Sequence, residues 1–417
     1  MNTLKRIVSL LLVLLLLSAC APSSKKKAAD LPANADVNPV ALDFDIPEVG
    51  SYEDFSVLLS AALLTGTENR NFSPVSAYFA LAMAAEGANG KTRSELLSLL
   101  GCETAEALRE ETSRMQTAFG RPAETGEIAL CNSLWMSDAV SLLPSYRDRL
   151  SETYDAKAET VSFGTDAAAK RIAGWITEKT NGLITPSPDA MQFGSETLAV
   201  LLNTVYFRDQ WQQPFGSAAP GTFTRADGTT VSADFLHRLN TDTGIVRGDG
   251  FLRYSVWYES KGRITFVLPD EGTPLSDLLG TPEKLDTLLN GGERIDADVD
   301  LLLPKFSISD RLELTDVLCS LGILDAFTNK ADFSRMADVP VRLDRVIQET
   351  VIALDETGLK AAGYTEVMPA PGDPAPGYED PDPLPLIEFH LDRPFLFLLK
   401  GPRGITLFVG TVTDPAA

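Results

Sequence analysis

The chain has 417 residues and a formal net charge of −22 at pH 7, with 58 acidic and 36 basic side chains. This acidity excludes nucleic-acid binding, which needs a basic face, and it argues against adhesion to anionic lipid through charge. The only two histidines, His237 and His390, lie in no Gly-x-Ser-x-Gly or His-Glu-x-x-His motif, so histidine-dependent catalysis, a zinc centre and a cofactor are not expected. A hydrolase that uses two carboxylates stays open, because acids are plentiful.

Residues 1–19 have the order of a signal peptide. Lys5 and Arg6 precede an apolar run, 7–17, that is too short to span a bilayer as a stable helix. The sequence Leu-Ser-Ala-Cys that ends at Cys20 resembles the bacterial lipobox, which implies a mature chain that starts at a lipidated Cys20. Each buried CH₂ of the acyl chains contributes about 0.8 kcal/mol to an anchor in the cell membrane or outer membrane. The alternative is an ordinary signal peptide that happens to contain a cysteine.

Residues 20–48 are predicted to form the lipidated cysteine and a flexible tether, because they hold few apolar residues and many Lys, Pro, Asn and Asp. Residues 49–417 contain no comparable linker and no internal repeat, so we expect one domain. The signal peptide places this domain outside the cytoplasm, at the membrane or in the extracellular space, and we expect it to be a monomer. The remaining cysteines, Cys102, Cys131 and Cys319, are far apart and odd in number. They indicate neither a disulfide framework nor a metal site, and we expect them to be buried as small apolar residues.

The N-terminal third of the domain is predicted to be helical. Residues 54–64 are apolar at helical spacing. Ser73 can cap a second helix, in which Pro74 occupies the first turn and which ends near Gly87.

A capping box formed by Thr92 and Glu95 is predicted to start a third helix over 96–100, which Gly101 ends. Farther along, two more helices are predicted, over 168–180 and 312–321. Alternating or short apolar runs predict strands over 127–136, 198–207, 264–268, 298–301 and 346–354. A C-terminal hairpin is predicted from two apolar runs around a Gly-Pro-Arg-Gly turn, over 395–412. Helices come first and strands dominate later, which indicates an α+β fold.

Short motifs of one known family occur along the domain in the family's own order. They are Asn71-Phe72-Ser73-Pro74-Val75-Ser76, Leu202-Asn203-Thr204-Val205-Tyr206-Phe207, Leu303-Pro304-Lys305-Phe306, Arg393-Pro394-Phe395 and Leu407-Phe408-Val409-Gly410. Together they resemble the serpins over essentially all of residues 49–415. The resemblance implies three β-sheets with eight or nine helices, an exposed reactive-centre loop at about 356–388, and no enzymatic activity.

The resemblance also implies a suicide-substrate mechanism against serine proteases, with cysteine proteases as a second class of target. The protease cuts the loop and forms an acyl-enzyme, and the cut loop then enters the largest sheet as a new strand. About sixteen inserted residues at roughly 3.3 Å each would carry the protease some 50 Å and distort it. A non-inhibitory relative, whose loop never inserts and instead docks a partner, is the alternative.

The family's hinge is matched by Glu356 and Gly358 and by the small residues Ala361, Ala362 and Gly363. In the implied register, alternate residues face inward during insertion, namely Leu359, Ala361, Gly363 and Thr365. Three of these four are small, and none is charged. Leu359 departs from the usual Thr or Ser, but leucine can be buried without a polar cost.

The resemblance assigns a second set of residues to the region where the main sheet must part. Ser73, Ser76, Asn203 and Trp211 match the family there, and Gln348 stands where the family has a histidine. A glutamine can both donate and accept hydrogen bonds, so this departure does not disable the region.

The bait segment, 366–388, carries seven prolines and six acidic residues but no Lys or Arg. A trypsin-like target is therefore not expected, because its specificity pocket needs a cation. Counting from the hinge places the cut bond at Gly372-Asp373, and counting back from Phe389 places it near Glu379. The loop is thus longer than the family norm by about eight residues. The alternative is an acidic, disordered loop without a specific target.

Among the candidate reactive bonds we place Tyr378 first, since an aromatic residue there is not followed by proline. Gly372 is second and Glu379 third. A cut after Tyr378 would indicate a chymotrypsin-like target, and a cut after Gly372 an elastase-like or subtilisin-like one.

Overall fold

The computed structural model describes residues 37–119, 127–359 and 383–416. Helices lead the chain as expected, and its first elements are α1 (Tyr52–Leu63), β1 (Arg70–Phe72), α2 (Pro74–Gly87), α3 (Gly90–Leu99) and α4 (Ala105–Phe119). The next are β2 (Glu127–Ser137), α5 (Pro144–Tyr154), β3 (Lys157–Val161), α6 (Asp166–Lys179), β4 (Ala199–Gln210), β5 (Ala219–Thr224), β6 (Thr230–Gly248), β7 (Phe251–Trp257) and β8 (Arg263–Pro269).

The rest of the described chain is mostly strand. Its elements are α7 (Pro282–Asn290), β9 (Glu293–Pro304), β10 (Phe306–Glu313), α8 (Thr315–Ser320), β11 (Arg345–Leu354), β12 (Gly358–Leu359), β13 (Leu386–His390), β14 (Phe395–Lys400) and β15 (Thr406–Val412). None of the helices in the described ranges is both long enough and apolar enough to span a membrane.

The strands form three sheets, which confirms the predicted α+β fold. Sheet A has the order β10-β11-β4-β2-β3, with β12 added beside β4. The other nine strands share one hydrogen-bonded path, β1-β15-β14-β8-β7-β6-β9-β13, with β5 on β6. The long strand β6 has a register irregularity between Asn240 and Thr243. Strands β6 and β9 continue on both sides of that point. They are shared by sheet B, which also contains β1, β15, β14, β8 and β7, and sheet C, which also contains β5 and β13.

Helix α2 forms the centre of the core. All fourteen of its residues are buried, because it contacts strands β2, β4 and β11 of sheet A on one side and β15 of sheet B on the other. Its start follows the sequence prediction: Ser73 accepts a hydrogen bond from the Ser76 N–H at 3.3 Å, and Pro74 occupies the first turn. A helix that is apolar all round is stable only in such a place.

The predicted capping box is wrong. Helix α3 starts at Gly90, and Thr92 instead accepts a hydrogen bond from the Asp332 N–H at 3.0 Å. Glu95 accepts hydrogen bonds from the Leu324 and Asp325 N–H groups at 2.9 and 2.8 Å. Both side chains bind a segment that is distant in sequence, so their local spacing does not mark the start of the helix.

The helix predicted over 312–321 is also shorter than expected, since α8 begins only at Thr315. Leu312 belongs to β10, in which Phe306, Ile308 and Leu312 are buried. The other predicted helices and strands and the C-terminal hairpin are present, most of them a few residues longer than the sequence indicated.

The segment 37–48, which the sequence analysis assigned to the tether, lies against the domain. The Asn38 N–H donates to Asp316 Oδ1 at 2.9 Å, and Ser320 Oγ donates to the Val40 carbonyl at 2.7 Å. Three of its apolar side chains pack against the core, namely Val37, Leu42 and Phe44. Among the described residues, contacts with the domain therefore extend to Val37, twelve residues before the predicted boundary at residue 49.

Candidate functional site

Two neighbouring strands of sheet A, β11 and β4, run parallel and then separate. Their register starts at Arg345 opposite Val200 and ends at Thr350 opposite Val205. Beyond this point β11 continues to Leu354 and β4 to Gln210 without pairing to each other. A strand placed between them would run antiparallel to both, so the sheet is open at this end to one more strand.

The predicted hinge lies at the mouth of this opening. Strand β12 pairs antiparallel with β4, with Gly358 opposite Gln210 and Leu359 opposite Asp209. The turn that leads into β12 is closed by Asp355, whose N–H donates to the Gly358 carbonyl at 3.0 Å. Its carboxylate oxygen Oδ1 accepts hydrogen bonds from the N–H groups of Thr357 and Gly358 at 2.8 and 3.2 Å. The chain has therefore reversed direction and begun a new strand beside β4.

Gly358 is required by its backbone conformation and by its surroundings. Its φ is +143°, a region that side chains rarely adopt, and a Cβ would overlap the Asp209 carbonyl oxygen and lie 2.8 Å from the Gln210 Cα. Only glycine lets the two backbones approach this closely.

Trp211 holds this turn through two hydrogen bonds. The Trp211 N–H donates to the Thr357 carbonyl at 3.0 Å, and its indole Nε1–H donates to the Asp355 carbonyl at 2.9 Å. The indole stacks on Tyr258 with ring centroids 4.6 Å apart and packs edge-on against Phe215 at 5.6 Å. The structure thus brings together three residues that were predicted separately, Trp211, Glu356 and Gly358.

An ion pair joins this turn to the strand end of β9. Lys305 Nζ lies 3.0 Å from Glu356 Oε1, and each side chain is one-third exposed. A backbone N–H hydrogen bond and the Lys305 ammonium lower the pKa of Glu356. The charged pair therefore favours the folded turn at neutral pH.

Asp209 is a site residue that the sequence analysis missed. Its side chain is buried, and its carboxylate accepts hydrogen bonds from the Gln210 N–H at 2.8 Å and from the Ser260 N–H at 3.3 Å and hydroxyl. Burial raises the pKa of Asp209 despite these bonds. The sequence gives little signal, because Asp209 stands between Arg208 and Gln210 at the polar end of β4.

Deeper in the sheet, the predicted polar residues meet the start of α2. The Ser73 N–H donates to Gln348 Oε1 at 2.7 Å, and Gln348 Nε2 donates back to the Ser73 carbonyl at 2.8 Å. Asn203 Nδ2 donates to the Ser76 carbonyl at 2.7 Å. The glutamine thus fixes β11 to α2, and the asparagine fixes β4 to α2, where the two strands are still paired and before they separate.

Asn132 extends this polar row across a third strand, and the sequence analysis missed it. It lies opposite Asn203, which in turn lies opposite Gln348. Within the described residues, Asn132 Oδ1, Asn203 Oδ1 and Ser76 Oγ are buried without a hydrogen-bond partner. These three oxygens can therefore accept hydrogen bonds from further polar groups.

The far end of the loop is anchored on a different sheet. Strand β13 pairs parallel with β9, and the Asp298 N–H extends the pairing to the Pro385 carbonyl at 3.0 Å. The two described anchors of the loop therefore lie on sheets A and C. Several predicted residues lie outside the described residues, namely Cys20, Ala361, Ala362, Gly363, Thr365, Gly372, Asp373, Tyr378 and Glu379. In the ranges that are described, no group of three His, Cys, Asp or Glu side chains could hold a metal ion.

Comparisons with known proteins agree with this geometry. A family model described as Serpin (serine protease inhibitor) matches residues 51–415. Serpin-Z7 of Hordeum vulgare is 30% identical over 390 residues, which are 87% of this chain and 95% of that protein. Serpin-Z1B of Triticum aestivum is 29% identical over 378 residues, 84% of this chain and 91% of its own. The thermophilic serpin Tengpin in its native state superposes with a TM-score of 0.76 at 25% identity, over 91% of this chain and 97% of that one.

Proposed function

The chain belongs to the serpin family, and on that premise we propose that it is a suicide-substrate inhibitor of serine endopeptidases that are not trypsin-like. Serpins generally inhibit proteases and are not catalytic enzymes. The observation that carries the proposal is the opening between β11 and β4, into which β12 already leads in the antiparallel direction.

The register of β12 supports insertion of the residues that follow it. If pairing with β4 continues in that register, Ala361 and Gly363 come to lie opposite Phe207 and Val205. Thr365 comes to lie opposite Asn203, whose Oδ1 is buried without a partner among the described residues. A hydroxyl at that position would satisfy a buried acceptor, which would favour the inserted state.

The same register supplies the observation that favours a second candidate function. Glu366 would come to lie opposite Leu202, which is buried in the apolar cluster beneath α6 with Ile172 and Ile347. Burying a carboxylate there without a partner would cost on the order of several kcal/mol. If that cost stops insertion, the protein is a non-inhibitory binding protein that presents its acidic, proline-rich loop to a partner.

The target class rests on the loop sequence. No Lys or Arg lies between Lys360 and Arg393. We therefore propose a chymotrypsin-like, elastase-like or subtilisin-like protease as the target, with cysteine proteases as the second class. Tyr378 is the first candidate for the cut bond, ahead of Gly372 and Glu379.

We also propose that a lipid on Cys20 holds the protein, as a monomer, at the outer face of a bacterial membrane. This rests on the signal-peptide order of residues 1–19 and the lipobox-like sequence before Cys20. Cys20→Ala is expected to move the protein from the membrane fraction to the medium or periplasm, with the acyl mass lost from its N-terminal peptide. An unmodified N-terminus in the natural protein would exclude the anchor.

The inhibitory activity is tested by mixing residues 21–417 with chymotrypsin, elastase and subtilisin, followed by SDS gels and mass spectrometry of the released C-terminal peptide. A band of combined mass is expected, and the first residue of the peptide identifies the reactive bond. Thr365→Arg is the matched control, because a guanidinium cannot be buried opposite Asn203. This variant should be cut without forming the band. Cleavage of the natural chain with neither a band nor a rise in melting temperature would leave the binding-protein candidate.

A further inference from the structure

Both histidines of the chain contact one carboxylate. His237 Nε2 on β6 lies 2.6 Å from Asp300 Oδ1, and His390 Nε2 on β13 lies 3.0 Å from Asp300 Oδ2. Asp300 lies on β9, the strand between the other two. The two histidines are both opposite Leu302 in the strand register, so each reaches Asp300 from its own side. The three side chains, called here the histidine clasp, thus connect all three strands.

The clasp acts on a strand that has few other attachments. Within the described residues, β13 pairs only with β9, over five residues. Phe389 is its only fully buried side chain, while Leu386 is 62% exposed. The His390–Asp300 contact therefore adds a side-chain link to the backbone pairing of this edge strand and to the burial of Phe389.

The charged groups around the clasp are mostly acidic. Glu388 of β13 lies directly opposite Asp300, and Asp298 is two residues before it on the same face of β9. Arg238, next to His237, points to the other face, where its guanidinium lies over the ring of Phe215 at 4.4 Å.

Two elements adjoin these strands. Strand β5 carries no titratable side chain, and Asp392, just after β13, is paired with Arg393 at 2.8 Å. Protonated imidazoles in the clasp therefore meet carboxylates and no facing cation from these strands.

We propose that the histidine clasp makes the attachment of β13 pH-sensitive, so that the strand is held more tightly at pH 6 than at pH 8. Histidine is the side chain whose charge ordinarily changes in this range. Protonation of His390 turns a hydrogen bond between a neutral imidazole and Asp300 into an ion pair, which is the stronger contact. The pH sensitivity of β13 does not depend on the proposed function. Any effect on the loop, which ends in this strand, does rest on that function.

The sign at lower pH follows from Asp300. Its burial raises the pKa, but the hydrogen bonds from His390 and His237 outweigh this and lower the pKa of Asp300. The Asp300 carboxylate thus stays charged at pH values above the ordinary aspartate pKa, and its charge is lost when pH falls through the lowered pKa, below about 4. The attachment of β13 should therefore be strongest between the pH at which Asp300 is protonated and the pH at which the histidines lose their protons.

The test is amide hydrogen exchange of residues 387–391 in the 21–417 protein, without protease, at pH 6.0 and 8.0. The Leu391 N–H, which donates to the Leu302 carbonyl at 2.8 Å, is the reporter. Rates are divided by those of the unfolded chain at each pH, and a chelator is present throughout. Because the contact is partly exposed, protection is expected to be about twofold to fivefold higher at pH 6.0.

The variants separate the clasp from general effects of pH. His390→Gln should abolish the difference in protection at β13, whereas His237→Gln, which leaves the His390–Asp300 contact in place, should retain it. If His390→Gln fails to fold, Asp300→Asn serves as the second variant and should abolish the difference as well. An equal pH effect in the natural chain and in His390→Gln or Asp300→Asn would overturn the proposal, and so would no effect in the natural chain. Neither result bears on protease inhibition, which the gel assay decides separately.

Discussion

Lys305 and Glu356 form a 3.0 Å ion pair between the segment that follows β9 and the turn that leads into the hinge. Because each side chain is one-third exposed, we expect the pair to contribute less than about 1 kcal/mol. A double-mutant cycle with Lys305→Met and Glu356→Gln, measured by urea unfolding at pH 7, should give a coupling energy of this size.

The pH dependence of this coupling has a defined sign. A pKa of Glu356 that is lower in the folded state gives stability that is present above the ordinary glutamate pKa of about 4.3 and is lost as pH falls through the folded value. The coupling energy should therefore fall as pH is lowered through this range. A coupling energy that does not fall with pH would show that the contact is not electrostatic.

Gly358→Ala should displace β12 from β4, because a Cβ at this position overlaps the Asp209 carbonyl. We expect a loss of about 1–3 kcal/mol in unfolding free energy, unless β12 detaches and relieves the overlap. Faster exchange of the Trp211 N–H would reveal such detachment, since that group donates to the turn. Gly182→Ala is the matched control: its φ is +76° but no atom lies within 4 Å of the added Cβ, so it reports conformation alone. Equal costs for both variants, with unchanged exchange at Trp211, would contradict the overlap.

Glu366→Ala should improve inhibition, because it removes the carboxylate that insertion would bring beneath α6, opposite Leu202. We expect more covalent complex for each loop cut and a larger rise in melting temperature after cleavage. Asp382→Ala is the control, as it removes a charge beyond the candidate bond at Tyr378. If the two variants behave alike, the register of β12 does not continue into the loop.

Glu86→Gln should be strongly destabilising. The side chain is fully buried, and its carboxylate accepts hydrogen bonds from Arg109 Nε and Nη2 at 2.6 and 2.8 Å and from the Tyr154 hydroxyl at 3.1 Å. Breaking a buried pair typically costs about 3–5 kcal/mol. A loss at the lower end is expected here, because Arg109 keeps its 3.0 Å contact with Glu106.

The exposed pair Arg114–Glu111 is the control for Glu86. Arg114 is 70% exposed, so Arg114→Ala should change the unfolding free energy by less than about 1 kcal/mol. Comparable losses for the two variants would mean that burial does not set the strength of these pairs.

Local features of the fold were predictable from the sequence, and features that depend on strand register were not. Ser73 and Pro74 start α2 through bonds within four residues, so the sequence alone indicates them. Thr92 and Glu95 had the same kind of local pattern, but a distant segment binds both side chains instead. No local signal announces a competitor that lies more than two hundred residues away.

The candidate site shows the same division. The family motifs identified Trp211, Glu356 and Gly358, and the structure brings them together. Asp209 and Asn132 were missed, because the role of a polar side chain in a strand becomes clear only when its neighbours on the adjacent strands are known. The contact of both histidines with Asp300 likewise depends on the alignment of three strands that are far apart in sequence.

The complete burial of α2 has a consequence for how this protein can change over evolutionary time. A helix with a solvent face tolerates most substitutions on that face, and its variation follows the helical period. All fourteen positions of α2 face other protein atoms, so every substitution there changes core volume or adds a polar group to the interior. Sequence drift is therefore confined to other elements, such as the one-sided helix α4, while α2 changes only together with the strands that surround it.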